Sequence, residues 1–510
     1  MKHILCLSLI LMLISCTKAE KSSSNSFSFH LFHEPLNLDP ARSRASSANY
    51  FFYNTLRGLY KIDENNKLVN EGGKCEWIDS KKLVCEIMDQ FWSNGEKVTS
   101  KDYQKSFLRI IDPNIASPRA HLLMSLKNAD KIISGLLPPD QLGFSIQSEN
   151  KFILNFREED REFIYKLSST ALYPLHKDSP YETSDYKKFL SNGPYQLETW
   201  ESGKKITLTP NPYYKKGHPL RPKLNMHFVD DDKTAFRLYQ KGVLNFLRRV
   251  PTQLFDQVKN SKDLIKVPML RFDYIGFGKE ILQNKIIRKT LTQSIDYKAL
   301  KNILKSEGDI GCPSIPRNWY NQQKCHTKKI FTSPKEINEA LKNLSAKNLN
   351  FKVSHLGGPD ILKQAEFIQN QWKQNLNFKM NVQQVEQKIF LSELRTEPPA
   401  VFRKGVALDR PTCLSALETF AADSKQNFLN LDDKKYSKII NLMQKATTED
   451  QYRDFCQQGI NYLMDNFLII PLGEMYFGML ADKQYQGWTI NGMNQLDLAG
   501  LHKASKQNRL

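Results

Sequence analysis

The decapeptide FRKGVALDRP, residues 402 to 411, sets a guanidinium at Arg403 and a carboxylate at Asp409 on either side of Gly405, Val406 and Ala407. If this stretch is extended, the even separation brings both side chains to one face, ~20 Å apart before they lean inward. The surrounding chain does not read as a surface loop that merely solvates its charges. Opposite charges along a short apolar ribbon call for partners, either on a ligand or on a neighbouring part of the fold.

Other chemically capable residues point away from catalysis. The sequence contains no GxSxG, HExxH, GxxxxGK(S/T) or GxGxxG. His30 and His33, in FSFHLFHEP, come nearest to a metal pair, but the alternation from Phe27 reads as a strand, and a spacing of three sends the two rings to opposite faces. No metal, no cofactor and no enzymatic activity is expected. The chain reads as a binder.

The N-terminus says where it works. Lys2 precedes an apolar core from Ile4 to Ile14, too short for the ~20 residues of a membrane-spanning helix. Leu13-Ile14-Ser15-Cys16 matches the bacterial lipobox, so residues 1–15 read as a lipoprotein signal peptide, Cys16 as the lipidation site and residues 16–25 as a tether. The expected location is the periplasm or cell envelope, lipid-anchored to a membrane.

Export also changes how the cysteines are read. With Cys6 lost and Cys16 acylated, six remain in an oxidising compartment. Cys75 and Cys85 occupy equivalent positions on two strands around Asp79-Ser80-Lys81-Lys82. Cys312 and Cys325 bracket CPSIPRNWYNQQKC, and Cys413 and Cys456 pair by elimination. None has zinc-site spacing. The formal charge of +19 and pI of 9.3 suit anionic envelope polymers. Lys and Arg are spread along the chain without a zinc finger, RNP motif or long basic run, so nucleic acid is not expected.

Periodicity gives irregularly interleaved strands and helices. Tyr50, Tyr53, Leu56, Leu59 and Tyr60 share a helical face. Thr99 or Ser100 caps a helix that Asp112-Pro113 stops. KFILNF at 151–156 is a strand, YQLETWESGKKITLTPNP is two strands, and helices are expected at 284–305, 333–346, 361–374, 433–446 and 448–466.

Several collinear segments together resemble the extracellular solute-binding proteins of peptide ABC transporters, family 5, which includes oligopeptide- and dipeptide-binding proteins. LNLDPARSRASSANYFFYNTLRGLY is similar to the family's opening. FWSNGEKVTSKDYQKSFLRIIDPNIASP carries its Trp-Ser-(Asp/Asn)-Gly turn at Trp92 to Gly95, then Val98, Thr99, Asp102, Asp112 and Pro113. SNGPYQLETW, LTPNPYYKKGHP, NKIIRKTLTQSIDYKAL (with Arg288, Ser294, Ile295 and Asp296) and the C-terminal helix pair leading to IIPL follow in order.

The resemblance implies an α/β, two-lobed periplasmic-binding-protein-like fold of type II, in the cluster with an extra domain, with three domains and a hinge. Domain I would comprise residues 26–64, 172–268 and 479–510 including a tail, domain II 65–171 and domain III 269–478. It further implies that the domain III ribbon pairs with an extended peptide by backbone hydrogen bonds. Asp409 would meet the peptide's α-ammonium and Arg403 a carboxylate, with Gly405, Val406, Ala407, Arg44, Ser46 and Arg119 as further ligand-binding positions. Main-chain pairing ignores side-chain identity, while the two charges set polarity and length. An Arg403 paired with a carboxylate of its own domain is the competing arrangement.

Four departures from the family pattern stand out. Val406 replaces an aromatic, only Arg410 separates Asp409 from Pro411, Arg44 replaces an acid, and Arg119 replaces a pocket aromatic; with both arginines facing it, the cleft would be more positive than usual, which suggests acidic or short peptides. The expected partners are a short peptide, inner-membrane ABC permease subunits and, through the lipid, a membrane, with the protein a monomer. The same fold holding a metal chelate, haem, opine or sugar, and a non-transport envelope lipoprotein with a degenerate cleft, are the alternatives.

Overall fold

The computed structural model describes residues 25–43, 46–304, 308–326, 338, 339, 341, 342, 344 and 349–504. The signal peptide, Cys16, most of the tether, Arg44 and most of the helix expected at 333–346 lie outside the described residues.

The charged ribbon is a strand, Val401–Ala407, in the middle of a five-stranded sheet. The order of that sheet is Asn381–Val385, Asn350–Ser354, Val401–Ala407, Arg271–Phe277, Ile470–Pro471. Alternation along VFRKGVA and RFDYIGF supplies two faces. Phe272, Tyr274, Phe402 and Val406 enter one hydrophobic cluster. Ile275, Phe277, Phe351 and Val401 enter another, packed with Ile368 and Trp372 of the helix Gly358–Leu376. A sheet covered on both faces is held rigidly, which suits a strand that must present groups at fixed positions.

A seven-stranded sheet forms the second body, in the order Leu264–Met269, Met475–Ala481, Phe246–Leu247, Ser26–Leu31, Lys223–Phe228, Lys205–Pro210, Tyr195–Glu201. The chain passes between the two sheets twice, through Leu270 and again between Pro471 and Met475. A four-stranded sheet of Gly73–Asp79, Lys82–Ile87, Lys151–Asn155 and Phe144–Ser148 shares one hydrophobic cluster with the seven-stranded sheet, through Phe29, Phe107, Phe152 and Met226.

Local expectations and structure agree where the signal is short-range. Cys75 lies directly opposite Cys85 in the hairpin, and all three disulfides are present: Cys75–Cys85, Cys312–Cys325 and Cys413–Cys456. Asp102 accepts from the Thr99 N–H at 2.7 Å, closing the start of the helix Ser100–Ile111. Gly95 takes a positive φ of 89° in the Trp92 turn.

Two helices differ. The first ends at Thr55 instead of continuing to Tyr60, because Asn192 Oδ1 captures the Arg57 N–H at 3.0 Å, and Tyr60–Ile62 becomes a strand. The helix expected at 284–305 is two, Lys285–Gln293 and Tyr297–Leu304, since Asp296 accepts from the Ala299 N–H at 2.9 Å and starts a new one.

Ser26–Leu31 is a central strand between two parallel neighbours and is buried on both faces. His30 is therefore enclosed while His33 is exposed. Burial, reinforced by Arg248 and Arg249, brings the His30 imidazole down to about 3. Below pH 6.5 the unfolded chain takes up a proton that folded His30 refuses, so this residue withdraws stability as pH falls from 6.5 toward 3. His30→Leu should lose less of its urea midpoint than the wild type between pH 7 and pH 4.5. Loop closure orders the disulfides: opening the 43-residue Cys413–Cys456 separation should cost about 4 kcal/mol, against about 3 for the 10-residue Cys75–Cys85 separation, by urea unfolding of the Cys→Ser pairs.

Candidate functional site: a half-paired strand between two charged clusters

Val401–Ala407 pairs antiparallel with Arg271–Phe277 over its full length, from Val401 opposite Phe277 to Ala407 opposite Arg271. Leu408 donates its N–H to Leu270 at 3.0 Å, and Gly278 donates to Ala400 at 3.0 Å. These bonds set the phase. Backbone groups of 400, 402, 404, 406 and 408 turn toward the 271–277 strand, so those of Arg403, Gly405 and Ala407 turn the other way. On that side Asn350–Ser354 pairs only with Val401 and Phe402. The parallel pairing at Phe402 uses the Arg403 N–H, so among the described residues the edge from the Arg403 C=O to Ala407 has no strand beside it, and it offers donors and acceptors to an extended chain.

Beside this edge, from Arg403 to Gly405, lies a buried ion cluster. Arg403 Nη2 is 2.7 Å from Asp273 Oδ1, and its Nε donates to Gln364 at 3.2 Å. Arg271, two residues before Asp273 and so on the same sheet face, donates to the same carboxylate through Nε at 2.5 Å and Nη2 at 3.0 Å. Burial alone would raise the Asp273 carboxyl, but Arg403 and Arg271 outweigh it and hold it below its ordinary value. Arg403 thus has the domain carboxylate named above as its competing partner. Gly405 makes the arrangement possible: a Cβ there would stand 2.0 Å from Arg271 Nη2 and 2.3 Å from Asp273 Oδ1.

Asp409 lies just past the strand. Its Oδ1 accepts from Arg410 Nη1 and from Ser415 Oγ, each at 2.8 Å. Its Oδ2 is 3.7 Å from His121 Nε2, and about a quarter of the side chain (26%) is exposed. Burial opposes ionisation here, yet Arg410, the nearby His121 ring and the bond from Ser415 hold the carboxyl far below its usual range. Arg410 also bonds Glu418 at 2.8 Å and pairs with Glu162, which in turn takes the Thr412 hydroxyl at 2.9 Å and that of Tyr452. Three carboxylates thus surround one guanidinium.

A cleft of about 650 Å³ opens beside the strand, between the two larger sheets. Arg403, Gly405, Arg271 and Gln364 line one wall, while Asp230 to Asp232 and Arg249 to Thr252 line the other. Of the residues singled out by sequence, Arg403 and Gly405 face this cleft. Val406 points into the core, Ala407 is exposed, and Arg119 is half-buried with its N–H on Ser117 Oγ at 3.1 Å. Ser46 opens a helix, and its side chain, like Arg44, lies outside the described residues.

The sequence reading missed Arg271, Asp273, Arg410 and Glu162. RFDYIGF held a signal, since charges at alternate positions of an otherwise apolar strand must share a face. Nothing short-range linked Glu162 to Arg410.

Residues 79–428 match the family model described as bacterial extracellular solute-binding proteins, family 5 middle. The chain belongs to this family. Its members bind substrates for transport and are not enzymes. The Bacillus subtilis oligopeptide-binding protein OppA is 21% identical over 507 residues, covering 94% of this chain and 93% of the relative. The Escherichia coli murein tripeptide binding protein MppA superposes with a TM-score of 0.77 at 18% identity, over 94% of this chain and 98% of that one. Peptide-bound OppA of Listeria monocytogenes superposes at 0.74 and 20% identity, over 95% and 100%. These matches show the type II periplasmic-binding-protein fold.

Gly405→Ala should displace Arg271 from Asp273 and lower stability by about 1–3 kcal/mol, read as a reduced urea midpoint. Ala407→Ser, at an exposed position of the same strand, should change it by less than about 0.5 kcal/mol.

Proposed function

We propose that this protein is a substrate-binding lipoprotein that captures short, extended peptides and delivers them to an inner-membrane ABC permease for import. The observation that carries this reading is the half-paired strand. Arg403, Gly405 and Ala407 direct backbone groups to an unoccupied edge, and Asp409 stands at its far end with its side chain partly exposed. An extended peptide with its ammonium at Asp409 would run antiparallel to Val401–Ala407. Main-chain pairing would supply affinity that is indifferent to sequence, and the carboxylate would set direction.

With the boundaries expected at 269 and 478 set at Leu270 and at residues 472–474, where the chain crosses between sheets, the two larger sheets become the cores of facing lobes. Leu270 and the segment after Pro471 are then the hinge strands through which closure occurs. The lipobox at Cys16 supports tethering to a membrane. The relatives' names, oligopeptide-binding and murein tripeptide-binding, support a peptide ligand.

Native mass spectrometry of the purified protein should find a mixed set of short peptides. Asp409→Asn should keep the fold, because Arg410 retains Glu162 and Glu418, and should lose peptide affinity by roughly 100-fold or more in calorimetry. A single non-peptide species bound equally by both proteins would overturn the reading.

A further inference from the structure

Arg271 is the residue that neither the ribbon pattern nor the family likeness singles out, and it occupies a particular place. Its Cα lies opposite Ala407, while its guanidinium crosses back over Gly405 to reach Asp273. It therefore sits above the middle of the open edge, not at either end. Nε and Nη2 are engaged with Asp273, which leaves Nη1 as the uncommitted donor of a side chain that is 28% exposed and lines the cleft.

The charges on this face do not balance. Two guanidinia, Arg271 and Arg403, share the single carboxylate of Asp273, and Arg403 and Asp273 are almost fully enclosed. Lys404 does not contribute to this face; its ammonium lies over the Phe428 ring at 5.0 Å, on the opposite side of the sheet. The carboxylates of the far wall are partly spent: Asp231 accepts from the Thr234 N–H at 2.7 Å, and Asp232 takes Arg249 Nε at 3.0 Å. Asp360 stands in the first turn of its own helix. A partly desolvated excess of positive charge of this kind is stabilised by an anion that completes the guanidinium's hydrogen bonds.

We propose that the Arg271–Asp273–Arg403 cluster is a subsite for a carboxylate side chain of the bound ligand, making this receptor selective for peptides with an acidic residue opposite Gly405. The inference rests on the peptide reading above. A ligand strand paired with Arg403, Gly405 and Ala407 alternates its side chains, and the one opposite Gly405 projects onto the face where Arg271 lies. Gly405 contributes no side chain to that space. The ligand's own C-terminal carboxylate, by contrast, lies further along the edge, toward Arg403 and beyond. The acidic preference thus comes from Arg271, on the strand beside the ribbon, with no contribution required from Arg44 or Arg119.

The test uses C-amidated tetrapeptides, which carry no terminal carboxylate, in calorimetry with the full-length protein. Ala-Glu-Ala-Ala and Ala-Ala-Glu-Ala are compared with their Gln counterparts, and each Glu peptide is also offered as the free acid. At one of the two positions, Glu should bind roughly tenfold or more tighter than Gln, a gap of about 1.4 kcal/mol. Arg271→Met leaves the Asp273–Arg403 pair in place and should shrink that ratio below about threefold.

Equal binding of Glu and Gln peptides to the wild type would overturn the subsite while leaving the peptide reading intact, and this comparison decides even if the variant fails to fold. A ratio that survives in folded Arg271→Met would also overturn it. Binding only of free acids would assign the cluster to the C-terminal carboxylate and overturn the proposal. No binding of any peptide would remove the peptide reading together with the subsite.

Discussion

A backbone amide at a sheet edge must find a partner in water, in a neighbouring strand or in a ligand. The strand Val401–Ala407 is built so that this choice is left open over Arg403 to Ala407 and nowhere else along it. One side is sealed by seven paired residues of Arg271–Phe277, and the other is sealed only at Val401 and Phe402. Both faces of the sheet rest on apolar clusters, so the open edge cannot drift or curl to satisfy itself. The remaining features of the site follow from holding such an edge still beside a cleft.

Charge is placed beside the middle of that edge and just past its far end in different ways. At Asp273 one carboxylate serves two guanidinia, and at Arg410 one guanidinium serves three carboxylates. The first cluster has an excess of positive charge and the second an excess of negative charge. Buried charges of one sign are costly without a counter-charge, so each cluster favours whatever brings the missing partner. A third buried group, around Arg57, is closer to balance: Asp497 meets Arg57 Nη2 at 2.6 Å and Lys61 Nζ at 3.0 Å, with Glu71 beside both. That group lies away from the cleft and joins chain segments more than four hundred residues apart. Its partners are supplied within the fold itself.

Much of the local structure was legible in the sequence because its causes are short-range. A cysteine at equivalent positions of a hairpin, an Asp three residues after a capping Thr, and an Asn-Gly turn each depend on neighbours within about ten residues. The ribbon was legible too, since alternate charges in an apolar run are rare without a purpose. The helix at 46–55 was read too long because its end is decided by Asn192, more than a hundred residues away. Arg403 was recognised as a charged site residue, whereas its partner Asp273 lies 130 positions earlier and becomes its neighbour only through sheet pairing.

By itself the sequence determined the hairpin, the helix cap, the disulfide pairs and the two opposite charges of the ribbon, because each is written in residue type and spacing, while the class of fold came through the resemblance to a family. Only the tertiary structure decided which charges remain available. Strand register placed Arg271 over Gly405 and Asp273 between two guanidinia, and the packing of residues 157–166 against 409–418 added Glu162 to the two acids, Asp409 and Glu418, that Arg410 finds in its own segment. Electrostatic excess is a property of a neighbourhood in space, so it could not be read from a chain in which those neighbours are far apart.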